Sequence, residues 1–295
     1  MRLTGSAPAK INLFLHVGPL QPDGYHPLAS LVAFADLGDR LTVEPAERLS
    51  LTVVGPFAAA LEGPGDNLVL TALRTLGRTA GIGEPGLRVT LDKQLPVAAG
   101  LGGGSSDAGA ALRLARDALT LDLDDAALEA IAADIGADGP MCLRARPAWA
   151  EGRGERLTDA PELPPLHAVL VNPGVPSPTG AVYRAYDAGL PATADRPAPP
   201  ADWRPATVID WLARQRNDLQ PPALALTPVI GDALAAVAGQ PGVGLTRMSG
   251  SGATVFGLFA DVRAAEEAAA TLSRDHGDWW VMPTVLGLRA PTAGL

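Results

Sequence analysis

Residues 96–112 read PVAAGLGGGSSDAGAAL, and the architecture turns on this stretch. Gly100, Gly102, Gly103 and Gly104, then Ser105 and Ser106, stand directly before apolar residues at helical spacing: Ala108, Ala111, Leu112, Ala115 and Leu119. A helix N-terminus carries unsatisfied N–H groups and a partial positive charge, and glycines let an anion approach the backbone. A phosphate-holding loop entering a helix is therefore expected here. Ser105 or Ser106 would cap the helix, bond a phosphate oxygen or hold a magnesium ion on that phosphate. A ligand-free turn needs no such density of glycine and serine. The signature GxxxxGK[ST] is absent, which excludes a Walker-type NTPase, and no early strand-to-helix glycine turn suggests a nicotinamide enzyme.

On either side the chain alternates strands and helices. LRVTL at 87–91 is a strand running into the loop, and 124–140 is a helix with Leu128, Ile131 and Ile135 inward, an aspartate at its start and Gly136 at its end. Asp138 falls in the turn beyond. Residues 66–81 form a helix capped by Asp66 or Asn67, and 40–55 read as two short strands around a turn. In APAKINLFLHV, 7–17, Ile11, Leu13, Leu15 and Val17 share one face while Lys10, Asn12, Phe14 and His16 share the other, giving a strand with one polar face. The second half carries a strand at 166–174, a helix at 179–187, a proline-rich exposed loop at 188–205, a helix near 227–238, a glycine-interrupted strand pair at 244–259, a helix at 262–275 and a strand at 279–288. That order predicts an α+β fold, an antiparallel sheet covered by helices in the split βαβ manner.

A chain of 295 residues suggests two domains, and no apolar run reaches the roughly 18 residues of a membrane span. With no export signal at the N-terminus, the expected location is cytoplasmic. A net charge of −9 argues against a nucleic-acid partner, so an anionic ligand must be held by local donors. The lone cysteine, Cys142, is expected to be a small core residue. Only two of the 23 basic residues are lysines, Lys10 and Lys93. A phosphoryl transfer to a hydroxyl needs a carboxylate for the proton and a cation near the transferred group. Lys10 and Asp138 suit those parts, although each also has an ordinary reading as a solvated strand residue and a turn aspartate. DGYHP at 23–27 has turn chemistry, which puts Tyr25 and His26 in a surface loop where a tyrosine packed under the loop is the default.

Together PAKINLFL, DGYH, PVAAGLGGGSSDAGAAL, IGADGP and RMSGSGATVFG resemble the GHMP kinase superfamily over about residues 6–260. The resemblance implies a two-domain α+β architecture, with 1–153 an N-terminal ATP-binding domain, 154–295 a C-terminal ferredoxin-like substrate domain, and the site in the cleft between them. DGYH, DNLV and RNDLQPPAL narrow it to members that act on a cytidine diphosphate-linked methylerythritol in non-mevalonate isoprenoid synthesis. For those members the resemblance implies transfer of the ATP γ-phosphoryl group to the acceptor's 2-hydroxyl, with Asp138 as base, Lys10 as its cationic partner, and ATP and Mg2+ as cofactors. Pro96, Gly100, Leu101, Gly102, Gly103, Gly104, Ser105 and Ser106 would hold the nucleotide, with Asn67 and Lys93 nearby. Asn12 and His26 would contact the acceptor, Tyr25 and Tyr183 would sandwich its cytosine, and Thr179 would line the same pocket. Gly139 and Met141 stand where members commonly carry a valine and an aromatic residue. Another acceptor, homoserine or mevalonate, and a non-catalytic nucleotide-binding module are the alternatives.

Overall fold

The computed structural model describes residues 1–62, 67–190 and 192–287. Its organising element is a long strand, β2 (Leu28–Pro45), because a run of 18 residues has room for several partners along its edges. β1 (Leu3–Val17) pairs antiparallel with β2 over nearly its whole length. The other edge is shared. β5 (Ala148–Gly152) pairs with 28–32, β10 (Trp280–Leu286) meets Ala35, and β4 (Leu87–Asp92) pairs with 40–45. β3 (Ser50–Val54) lies parallel to β4, and β6 (Arg156–Asp159) returns along β5.

Through β10 the sheet continues into β7 (Leu166–Asn172), β9 (Val255–Phe259) and β8 (Val243–Met248), all antiparallel, in the order β10-β7-β9-β8. With helices between β7 and β8 and between β9 and β10, this is the ferredoxin-like split βαβ arrangement. The residue pair 153 and 154 lies at the tip of the β5–β6 hairpin.

The helices are α1 (Leu68–Thr79), α2 (Gly103–Ala118), α3 (Asp125–Ile135), α4 (Gly139–Arg144), α5 (Thr179–Asp187), α6 (Pro205–Ala213), α7 (Gln220–Leu226), α8 (Val229–Ala238) and α9 (Val262–Asp275). α1, α2 and α3 cover the N-terminal sheet through Leu73, Leu76, Leu112 and Ile131, while Val182, Ile230 and Leu272 of α5, α8 and α9 pack on the C-terminal strands. A third core joins the halves, with Ile11, Leu13, Leu170, Val208 and Phe256 in one cluster. None of the described helices is long and apolar enough to cross a membrane.

Two expectations need correction. Residues 40–55 are not two strands around a turn: the first part is the end of β2, and β4 lies between it and β3. Burial on both faces replaces the polar face of β1, since Lys10, Asn12 and His16 are as buried as the apolar side. The proline-rich segment is the mostly exposed loop expected, and it is anchored at two points: the His16 Nδ1–H donates to the Asp195 carbonyl at 3.0 Å, and Trp211 Nε1 donates to Ala198 at 2.8 Å. Asn67 caps α1, its side chain accepting from Val69 N at 2.9 Å, and Asp66 lies outside the described residues.

Candidate active site

Where the outer edge of β1 meets the glycine stretch, the Lys10 amide donates to the Leu101 carbonyl at 2.8 Å and lays the loop along the strand. The loop turns through Gly100 (φ 75°) and Gly102 (φ 61°) into α2. A Cβ on Gly100 would stand 2.3 Å from the Ser249 carbonyl, and one on Gly102 3.2 Å from Cβ and Cε of Lys10, so both the conformation and the space call for glycine. The β8–β9 turn braces the loop from the C-terminal half. Ser249 Oγ donates to the Gly100 carbonyl (3.0 Å), Thr254 N to Ala99 (3.1 Å), and Asn217 Nδ2 to both Met248 and Gly250 (2.8 Å each).

A cavity of roughly 920 Å³ opens above the loop. Pro96, Gly100, Gly102, Gly103, Gly104 and Ser105 line it, with Asn67 and Lys93 beside them. Leu101 and Ser106 do not. The Leu101 side chain is buried in the core between the halves, and the Ser106 hydroxyl donates to the Pro8 carbonyl at 2.8 Å, so the helix rotation turns that serine away from any phosphate. Leu61, Leu68, Val97 and Ala98 add an apolar wall.

Lys10 Nζ lies 3.0 Å from Asp138 Oδ2 and donates to Asn12 Oδ1 at 2.8 Å. Asn12 in turn donates to Ser30 Oγ at 2.9 Å, which fixes the amide's orientation. The lysine side chain is 5% exposed and the aspartate 39%, so the cation is held rigidly while the carboxylate is open to the cavity. Asp138 stands immediately before α4. Next to it, a Cβ on Gly139 would come 1.9 Å from the Ala132 carbonyl, so the close approach of α3 to α4 calls for glycine there. Met141 fills a small core with Phe34 and Cys142. Burial pushes the Cys142 thiol up to about 12, which keeps it protonated and inert.

Lys93 is engaged below the loop, 2.5 Å from Asp39 Oδ2 and 2.7 Å from Asp107 Oδ2. Burial disfavours its charge, but the two carboxylates outweigh that penalty and hold the ammonium above its ordinary value. One cation shared by two buried acids leaves Asp107 pushed up to about 7, chiefly by desolvation.

At the far end Tyr25 is 51% exposed while His26 is buried. His26 Nδ1 donates to the Gly18 carbonyl (2.9 Å), its Nε2 lies 3.2 Å from Asp187 Oδ1, and its ring packs 5.1 Å from that of Tyr183. Thr179 and Ser251 share a hydrogen bond of 2.8 Å. Burial first, then the charge of Asp138, pushes the Tyr183 phenol up to about 12, so it remains a neutral ring. Gly102, Lys10, Asp138, Tyr183 and His26 thus all line one cavity. Arg153, Arg184 and Asp187 also line it. Sequence reasoning missed these three because a hairpin arginine and helix-surface charges carry no local signature.

The GHMP kinases N terminal domain model matches residues 67–145 and the GHMP kinases C terminal model matches 206–278. A relative named 4-diphosphocytidyl-2-C-methyl-D-erythritol kinase, from Caulobacter vibrioides (strain NA1000 / CB15N), is 55% identical over 284 residues, covering 95% of this chain and 98% of its own. The chain belongs to the GHMP kinase family. A Hyphomonas neptunium (strain ATCC 15444) protein of the same name is 50% identical to this GHMP kinase, with 97% of each chain covered. A crystal structure of 4-(cytidine 5'-diphospho)-2C-methyl-D-erythritol kinase superimposes with a TM-score of 0.74 at 37% identity, covering 98% of this chain and 100% of the other. The homoserine kinase from Cytophaga hutchinsonii shares the fold, with a TM-score of 0.69 at 18% identity over 99% and 96% of the two chains.

Proposed function

We propose that this GHMP kinase transfers the γ-phosphoryl group of ATP to the 2-hydroxyl of 4-diphosphocytidyl-2-C-methyl-D-erythritol, a step of non-mevalonate isoprenoid synthesis. The observation that carries the reading is a single cavity lined by the glycine loop, by two tyrosines and a histidine, and by the Lys10–Asp138 ion pair. In this reading the N-terminal half, 1–153, supplies the ATP loop and the C-terminal half, 154–295, supplies Thr179 and Tyr183 across the cleft. ATP lies on the glycine loop with its phosphates at the start of α2, where N–H groups and the helix dipole favour negative charge.

Asp138 accepts the proton of the acceptor hydroxyl as its oxygen attacks the γ-phosphorus, and the bond to the β-phosphate oxygen breaks to release ADP. Lys10 orients the carboxylate and stabilises charge developing on the transferred group. Tyr25 and Tyr183 take the cytosine between their faces, while His26 and Asn12 brace the acceptor. Homoserine and mevalonate have no base for such rings. Magnesium fits this donor set: Ser105 lines the cavity in the first turn of α2, and the buried Oδ1 of Asp107 has no hydrogen-bond partner. When bound it would neutralise phosphate charge. The need for ATP suits a cytoplasmic enzyme.

ADP release, measured with ATP and magnesium against four acceptors, tests the reading. Turnover with the cytidine compound is expected; turnover confined to homoserine, mevalonate or galactose would overturn it.

A further inference from the structure

Tyr25 is the most exposed aromatic ring of the cavity, on the turn between β1 and β2. A tyrosine so placed ordinarily samples several rotamers and loses that freedom when a ligand orders it. Here the ring has a backing. The guanidinium carbon of Arg153 lies 4.2 Å from the ring centroid, over its face. Arg153 Nη2 donates to Asp23 Oδ2 at 2.6 Å, and Asp23 Oδ1 accepts from the Tyr25 amide at 3.0 Å. One carboxylate therefore holds both the tyrosine's backbone and the arginine that covers its side chain.

The two segments are 130 residues apart in sequence and meet because of register. Gly152 pairs with Leu28, which sets the tip of the β5–β6 hairpin beside the turn that carries Tyr25. That tip is fixed in its own right. Gly152 and Gly154 adopt left-handed conformations (φ 72° and 113°), and the Arg153 amide donates to Glu155 Oε2 at 2.6 Å.

We propose that Arg153 is a positioning residue for the nucleoside end of the acceptor: it occupies one face of Tyr25 and presents the other to the base. This rests on the reading of the acceptor as a cytidine nucleotide. The charge of Arg153 is already paired with Asp23, so it acts through the ring and not as a free cation for the diphosphate.

Steady-state kinetics and calorimetric CDP binding on the full chain test it, with Arg153→Met and Arg153→Lys made in wild-type and Tyr25→Ala backgrounds. Arg153→Met is expected to raise the acceptor KM and the CDP Kd about two- to fivefold, with kcat and the ATP KM unchanged. Lysine in its place should restore most of the loss, and in the Tyr25→Ala background the methionine should add nothing further. An equal rise without Tyr25 would overturn the proposal, because Arg153 would then meet the nucleotide directly. So would an unchanged KM, or a loss shared by ATP. Should Arg153→Met fail to fold, Asp23→Asn breaks the same link from the exposed turn and must give the same pattern. Failure of the wild-type enzyme to bind CDP would instead remove the reading of the acceptor, and the positioning role with it.

Discussion

Lys10 Nζ and Asp138 Oδ2 lie 3.0 Å apart although one residue sits in the middle of a strand and the other at a helix start. Their pairing leaves the carboxylate accessible and the ammonium enclosed, the arrangement a proton acceptor with a fixed cation requires. Asp138→Asn keeps the shape and removes the base. A fall in kcat of about 10²- to 10⁴-fold is expected with ATP binding intact, as read from single-turnover rates and nucleotide titration. A variant with full kcat would show that the aspartate is not the base.

Tyr25→Ala removes a half-exposed ring from a surface turn, so the melting temperature should stay near that of the wild type. The acceptor KM should rise about tenfold or more from lost base stacking, and CDP should cease to compete effectively. Unchanged CDP inhibition would place the base elsewhere.

Gly100→Ala forces a side chain into a left-handed backbone and against the Ser249 carbonyl. The conformational strain alone costs about 1–3 kcal/mol. A lowered melting temperature together with a raised ATP KM is expected. Gly136→Ala is the control, since nothing lies within 4 Å of its added Cβ.

Burial holds the His16 imidazole below its ordinary value of 6.5, and its Nε2 has no hydrogen-bond partner. The unfolded chain thus takes up a proton that the folded one refuses. Its contribution to stability is complete above about pH 6.5 and is lost as the pH falls toward the folded value. His16→Asn retains a donor for the Asp195 carbonyl and should flatten that part of the melting-temperature profile. An unaltered acid limb would assign the loss to other groups.

Much of this was legible in the chain. Periodicity marked α1, α2, α3 and α9 because amphipathic spacing and caps are local properties, and the density of glycine before α2 announced a backbone that something approaches closely. The order of elements was enough for the split βαβ half. The strand alternation of 7–17, by contrast, gave a false solvated face for Lys10, because burial is conferred by what packs on a strand. Ser105 and Ser106 are chemically alike and adjacent, and only the rotation of α2 sends one to the cavity and the other to Pro8.

What the sequence by itself determined is the set of parts: the loop, its helix, two lysines, an aspartate beyond a helix and a tyrosine in a turn. Which parts work together was decided by tertiary structure. The register of β1 on β2, the seating of the β8–β9 turn on Gly100 and the pairing of Gly152 with Leu28 bring Lys10 to Asp138 and Arg153 to Tyr25. Such pairings depend on hydrogen-bond ladders and packed cores between segments far apart in the chain, and no local pattern of residues encodes the distance they close.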